Sequence, residues 1–262
     1  MPRSARPRSA RPGSVPARSA RLRSARPGSG RIRDVGFAVT VGTALAAYNN
    51  VIGRHPWHQR RYALLGLCAT GAALASAAAG GLTAADLGAG RGHWRPGRAA
   101  VRLAAGVGTG WLIVAVLPAA RPLLDDKRIT SLDRRAVAYQ ALVRIPVGTV
   151  LWEETAFRGV LQAALRRIMP ETAAIAVTGG VFGVWHVRPT LGALRANGLD
   201  GGRGQAVARV SAVCAGMAAA GVLLSWLRAR SGTLAAPMLL HLASNSGAIL
   251  AAWLASGRWH CG

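Results

Sequence analysis

From residue 35 onward, apolar stretches alternate with short arginine-bearing connectors, and the alternation predicts helices rather than strands. The stretches at 35–53, 62–82, 99–120, 136–157, 172–187, 205–227 and 232–255 are mostly close to the roughly 20 residues that cross the hydrocarbon core of a bilayer. Alanine and glycine dominate them, which suits close helix–helix approach in lipid. Connectors such as RHPWHQRR (54–61) and RPLLDDKRITSLDRR (121–135) are too polar for the membrane interior. The predicted fold is therefore all-α: a polytopic transmembrane helix bundle of about seven spans, with a buried polar cavity expected among them.

Composition sharpens this picture. The chain is 51% hydrophobic yet carries a formal net charge of +24, so apolar and charged residues must be segregated along it. Much of the charge sits in a tail over residues 1–34 rich in Arg, Pro and Ser, which has too little apolar surface to fold and is predicted to be disordered. The tail reads either as an electrostatic arm toward anionic lipid or as a solvated leader. No folded reader accompanies it, so no specific nucleic acid is expected as a partner. The arginines favour a cytoplasmic N-terminus by the positive-inside rule, and Ala44-Leu45-Ala46 resembles a signal-peptidase site. Three cysteines, Cys68, Cys214 and Cys261, with no CxxC pair, exclude a disulfide framework and a cysteine-ligated zinc site of the usual spacing. Residues 35–135 show no diagnostic polar residues; 136–255 hold the candidate chemistry.

Ionisable residues inside apolar spans are costly and mark function by default. Glu153 and Glu154 stand side by side in VGTVLWEETAFRGVL. Arg158 follows Glu154 by four residues, one helical turn away on the same face, and can offset its burial. Glu153 is rotated by about 100° from Glu154 and is left to face another helix. Of six histidines, His55, His58, His93 and His260 lie in connectors or at the terminus, where solvation accounts for them. His186 closes the apolar run AIAVTGGVFGVWH, with Phe182 one turn before it. His241 lies inside the last span, with Asn245 one turn after it.

EETAFR (153–158), FGVWH (182–186) and HLASN (241–245) resemble the EExxxR, FxxxH and HxxxN motifs of the CPBP family, in order and in separate spans. That family covers the type II CAAX prenyl proteases and the bacterial Abi, or bacteriocin self-immunity, membrane proteins. The resemblance spans roughly residues 136–255 and implies an intramembrane endopeptidase acting near the membrane surface. It implies that Glu153 and His186 position and deprotonate the attacking water. His241 and Asn245 would stabilise the oxyanion, or His241 would share in holding a metal, while Glu154 with Arg158 orients Glu153. A desolvated carboxylate suits the base, and an imidazole and an amide on one helix face suit the oxyanion.

Glu153, His186 and His241 also form the ligand set of a catalytic zinc site with an open position, so Zn2+ is an implied cofactor. A glutamate–histidine pair activating water unaided is the alternative. HExxH and GxSxG signatures are absent, and Ser244 and Ser246 read as helix-packing serines. The glycine- and arginine-rich stretch 188–204 reads as a plain connector, or as a flexible entrance over the site. The expected surroundings are membrane lipid, a peptide or protein substrate with a membrane-associated segment, and a bacterial cell membrane. Two rivals remain: a non-catalytic immunity or scaffold protein with the same fold, and a small proton-coupled transporter. A transporter would favour an internal repeat with interrupted helices, which the chain lacks.

Overall fold

The computed structural model describes residues 29–53, 55–90 and 94–257. The tail before residue 29, together with His93, His260 and Cys261, lies outside them. The described residues are helical, with no strand among them. Helix α1 (Ser29–Ala47) runs on through a wider turn at Tyr48–Ile52. A short connector helix, Pro56–Arg60, leads into α2 (Tyr62–Ala79), and α3 is Gly97–Val116.

After short turns at Pro118–Leu124 and Lys127–Thr130, the chain enters one long helical rod, α4, over 134–165. Asp133 caps its start by accepting a hydrogen bond from the Ala136 backbone N–H at 2.7 Å. Wide π-type turns occupy Gln140–Leu151 and Glu154–Leu161. Pro146 lies inside the first of them. A proline there removes one rung of the helical ladder and crowds the carbonyl a turn earlier, and a widened turn accommodates both. The remaining helices are α5 (Glu171–Trp185), α6 (Val187–Ala196), α7 (Arg203–Ser231) and α8 (Ala235–Ala255).

Among the described residues, five helices are long and apolar enough to cross a membrane: Gly30–Ile52, Tyr62–Ala79, Gly97–Val116, Arg203–Ser231 and Ala235–Ala255. The two other expected spans, 136–157 and 172–187, do form helices but differ in character. Helix α5 has 15 residues, about 22 Å at 1.5 Å per residue, short of a hydrocarbon core about 30 Å thick. The second half of the rod α4 is enclosed: every residue from 152 to 165 is buried, whatever its polarity, while Tyr139, Leu142 and Val143 in its first half are exposed. A helix buried all round is a core element, and here it carries the polar residues that lipid would reject.

The bundle closes around this rod. Trp152, Ala156, Phe157, Leu161 and Leu165 of α4 share one core with Ala38 and Leu45 of α1 and with Ala174, Phe182 and Trp185 of α5. Helix α2 lies along the first half of the rod, α8 packs on both α3 and the rod, and α5 packs on α7. Two glycine crossings permit the closest approaches. A Cβ on Gly221 would lie 2.9 Å from the Gly179 Cα, and one on Gly66 would lie 2.7 Å from the Gly148 Cα. Small residues at such crossings let backbones touch where lipid offers no hydrophobic drive for association.

Candidate functional site

The rod positions three polar side chains in one row, Glu154, Arg158 and Gln162, each about one turn after the last. All three are 0–1% exposed. Arg158 Nη1 donates to Glu154 Oε1 at 3.1 Å, and its Nη2 donates to the Gly221 carbonyl of α7 at 3.2 Å. Its guanidinium carbon sits 4.3 Å from the centre of the Phe182 ring. Gln162 Nε2 donates to the Ser225 carbonyl at 3.1 Å, so the row ties the rod to α7 twice.

His241 of α8 reaches the same carboxylate from the other side, with Nδ1 2.6 Å from Glu154 Oε1. The carboxylate held by Arg158 has no proton to give, so Nδ1–H is the donor, and Nε2 then accepts from Asn245 Nδ2 at 3.1 Å. His241 Nε2 also lies 4.0 Å from Glu153 Oε2. Both ring nitrogens of His241 are therefore engaged. The resemblance implied that His241 and Asn245 face developing negative charge; in the structure His241 bonds Glu154 and Asn245.

Glu153 is turned the other way, as the rotation between neighbouring helical residues requires. It is 4% exposed. Trp185 Nε1 donates to its Oε1 at 3.2 Å, and its Oε2 has no hydrogen-bond partner. His186 follows Trp185 at the end of α5, where Nδ1–H donates to the Phe182 carbonyl at 2.7 Å. That bond fixes the tautomer and leaves Nε2 with its lone pair. The Phe182 ring lies edge-on to His186, with centroids 4.6 Å apart.

Glu153 and His186 both line a cavity of about 550 Å3, whereas Glu154, His241 and Asn245 are not among its lining residues. The seven motif residues thus divide into a pair on the cavity wall, Glu153 and His186, and a supporting layer of five behind it. The cavity opens at the end of the bundle where α1 gives way to α2, since Asn49, Gly53 and Gln59 also line it.

Several contributors were not singled out in the sequence. Asn49 Nδ2 donates to the Trp185 carbonyl at 3.1 Å, and Asn50 Nδ2 donates to the Val184 carbonyl at 3.0 Å. Asn50 Oδ1 accepts from the Arg188 backbone N–H at 3.0 Å. These two amides of α1 clamp the end of α5 that carries His186. Their signal was readable: two adjacent amide side chains ending an apolar run. Trp185 had no such signal, because an indole in an apolar helix reads as core.

Two expectations need correction. The stretch after His186 is neither a plain connector nor a loop where the cavity forms: Val187–Ala196 is helix α6, and Arg188, Leu191, Gly192 and Arg195 line the cavity at helical spacing. His58 is not solvated. It is 2% exposed, hydrogen-bonded through Nε2 to the Tyr48 hydroxyl at 3.0 Å and edge-on to Tyr62. Burial, aided by the positive charge of Arg144, pushes its pKa below the ordinary histidine value. Ser244 and Ser246 donate to the Leu240 and Ala141 carbonyls, the helix-packing role read for them.

One donor of the implied zinc set is already committed. A third ligand needs a free lone pair, and His241 has none while Glu154 and Asn245 hold its ring. Among the described residues no group of three or more His, Cys, Asp or Glu side chains converges as a metal site. As arranged, Glu153, His186 and His241 do not fit a three-ligand zinc centre.

Neither a curated protein nor a solved structure matches the chain. A family model does match, over residues 136–247: that of the family described as Type II CAAX prenyl endopeptidase Rce1-like. The matched segment contains the EETAFR, FGVWH and HLASN motifs, with Glu153 and His186, and the buried half of the rod. Residues 136–247 are thus similar to the Rce1-like type II CAAX prenyl endopeptidase family, consistent with a CPBP-type protease, and the five apolar helices make the chain an integral membrane protein.

Proposed function

We propose that this protein is an intramembrane endopeptidase that hydrolyses a peptide bond of a membrane-associated substrate, with a water activated between Glu153 and His186. The observation that carries the reading is Glu153 itself: a buried carboxylate on a cavity wall, with one oxygen held by Trp185 and the other without a partner. That free oxygen can accept a hydrogen bond, and then a proton, from a water in the cavity.

Water enters the cavity and is held by Glu153 Oε2 and His186 Nε2. As its oxygen attacks the scissile carbonyl, its proton passes to Glu153. Collapse of the tetrahedral species breaks the C–N bond and returns that proton to the departing amine nitrogen. The products are a new carboxyl terminus and a new amino terminus, and no covalent enzyme intermediate is needed. Glu154, Arg158, His241 and Asn245 act as positioning residues: they lock the rod beside α7 and α8, and so fix where Glu153 points. The location of the cavity at one end of the bundle supports cleavage near the membrane surface.

Glu153→Gln keeps the shape and the bond from Trp185 while removing the base. In the detergent-purified full chain, cleavage of an internally quenched prenylated peptide is expected to fall by about 10²–10⁴-fold, with the thermal transition unmoved. Full activity in that variant would remove Glu153 from the mechanism; a folded wild type that cleaves no peptide would favour the non-catalytic scaffold instead.

A further inference from the structure

The cavity wall carries far more positive charge than its floor can balance. One carboxylate lines it, Glu153, against four arginines: Arg128, Arg144, Arg188 and Arg195. Arg128 is already neutralised by Asp126 at 2.5 Å. Burial pushes Asp126 up, but hydrogen bonds from Arg128 and Asn197 outweigh it and hold the carboxyl below its usual range, so this pair stays closed near neutral pH. The other three arginines have no carboxylate within ion-pair distance among the described residues.

Their placement is ordered. Arg144 lies over the Tyr62 ring, 4.1 Å from its centre, with Nη2 donating to Gln59 Oε1 at 2.8 Å and Nη1 to Gln140 Oε1 at 3.2 Å. Neutral partners orient this guanidinium without cancelling its charge. Arg188 and Arg195 are seven residues apart on α6, two turns along one face, and both face the cavity. The Asn50 bond to the Arg188 backbone fixes where that row begins. Three uncancelled guanidinium groups around a concave site focus a positive field into it, and guanidinium matches a carboxylate with two parallel hydrogen bonds.

We propose that Arg144, Arg188 and Arg195 form a subsite for a carboxylate on the peptide substrate, with Arg188 and Arg195 as specificity-determining residues; the substrate role rests on the endopeptidase reading above. The carboxylate is supplied either by the peptide's own C-terminus or by an acidic side chain near the scissile bond. An anionic lipid headgroup fits less well, because seated there it would cover Glu153 and His186.

The test uses the full-length Glu153→Gln protein in phosphatidylcholine nanodiscs and a fluorescent hydrophobic peptide in three forms: free acid, amide, and amide with an internal aspartate. Fluorescence anisotropy is expected to show at least one carboxylate form binding about tenfold or more tighter than the plain amide, and the two acid forms tell terminus from side chain. Adding Arg188→Gln and Arg195→Gln together is expected to shrink that gap below about threefold without weakening the plain amide. Equal binding of all three peptides before any arginine is changed would overturn the proposal, and needs no variant to fold. So would a gap that persists in the double variant, or a double variant that changes retention on phosphatidylglycerol vesicles but not peptide binding. The two readings separate cleanly: an intact gap with no cleavage by the unsubstituted protein sinks the protease reading, and cleavage without a gap sinks the subsite.

Discussion

Replacing Arg158 by methionine keeps most of the volume in the row on the rod and removes the guanidinium. Three interactions go with it: the 3.1 Å bond to Glu154, the 3.2 Å bond to the Gly221 carbonyl, and the contact 4.3 Å above the Phe182 ring. The first dominates. Both side chains of the pair are 0% exposed, so Glu154 would be left as a buried charge compensated only by His241, a situation that costs about 3–5 kcal/mol. The orphaned Gly221 carbonyl adds roughly 1 kcal/mol. Against a total stability on the order of 5–15 kcal/mol, the single variant should be severely weakened. The assay is unfolding by sodium dodecyl sulfate in mixed micelles near neutral pH, followed by far-ultraviolet circular dichroism. Glu154→Gln combined with Arg158→Met removes both charges and still offers His241 an oxygen. It should therefore recover part of the loss, with a coupling of about 0.5–3 kcal/mol. A cost for Arg158→Met below about 1 kcal/mol, or a double variant no better than the single, would refute the view that this pair braces the rod.

Two further outcomes follow from named contacts. Trp185→Phe removes the indole N–H that holds Glu153 Oε1; a loss of about 1.4 kcal/mol of orientation predicts a roughly tenfold fall in kcat, with KM nearly unchanged, and a change confined to KM would contradict the positioning role. His58 has a folded pKa below its ordinary value of about 6.5, so the unfolded chain binds the extra proton: its stabilising contribution is complete above about pH 6.5 and is lost as the pH falls toward the folded value. Thermal stability should therefore fall over that acidic window, and His58→Gln should flatten that part of the profile; an unchanged slope in the variant would assign the dependence elsewhere.

The site was legible in the sequence to the extent that polarity in an apolar run is expensive. Glu153, Glu154, Arg158, His186, His241 and Asn245 all stood out on that ground, and the i, i+4 spacing of Glu154 and Arg158 led to the pair the structure contains. His58 was misread because a histidine between arginines looks solvated; only the closure of Tyr48 and Tyr62 over it makes it a buried residue. Helix α6 was missed because Pro189 and Gly192 lower its local helix signal, and its packing against α7 and α5 is a tertiary contact.

Sequence alone determined the all-helical membrane class, because long apolar stretches have no other way to satisfy their backbones in lipid. It also determined which side chains must be sheltered and that neighbouring glutamates point apart, since the helix rotates about 100° per residue. Tertiary structure decided the rest. Which segments are enclosed depends on neighbours, and the second half of α4 is enclosed because other helices pack around it. Which motif residues meet the cavity also depends on partners. His241 is drawn to Glu154 by a hydrogen bond across 87 residues of chain, and Glu153 is left facing the arginines of α6. No local pattern encodes those distances, because each is set by how two helices far apart in the chain pack.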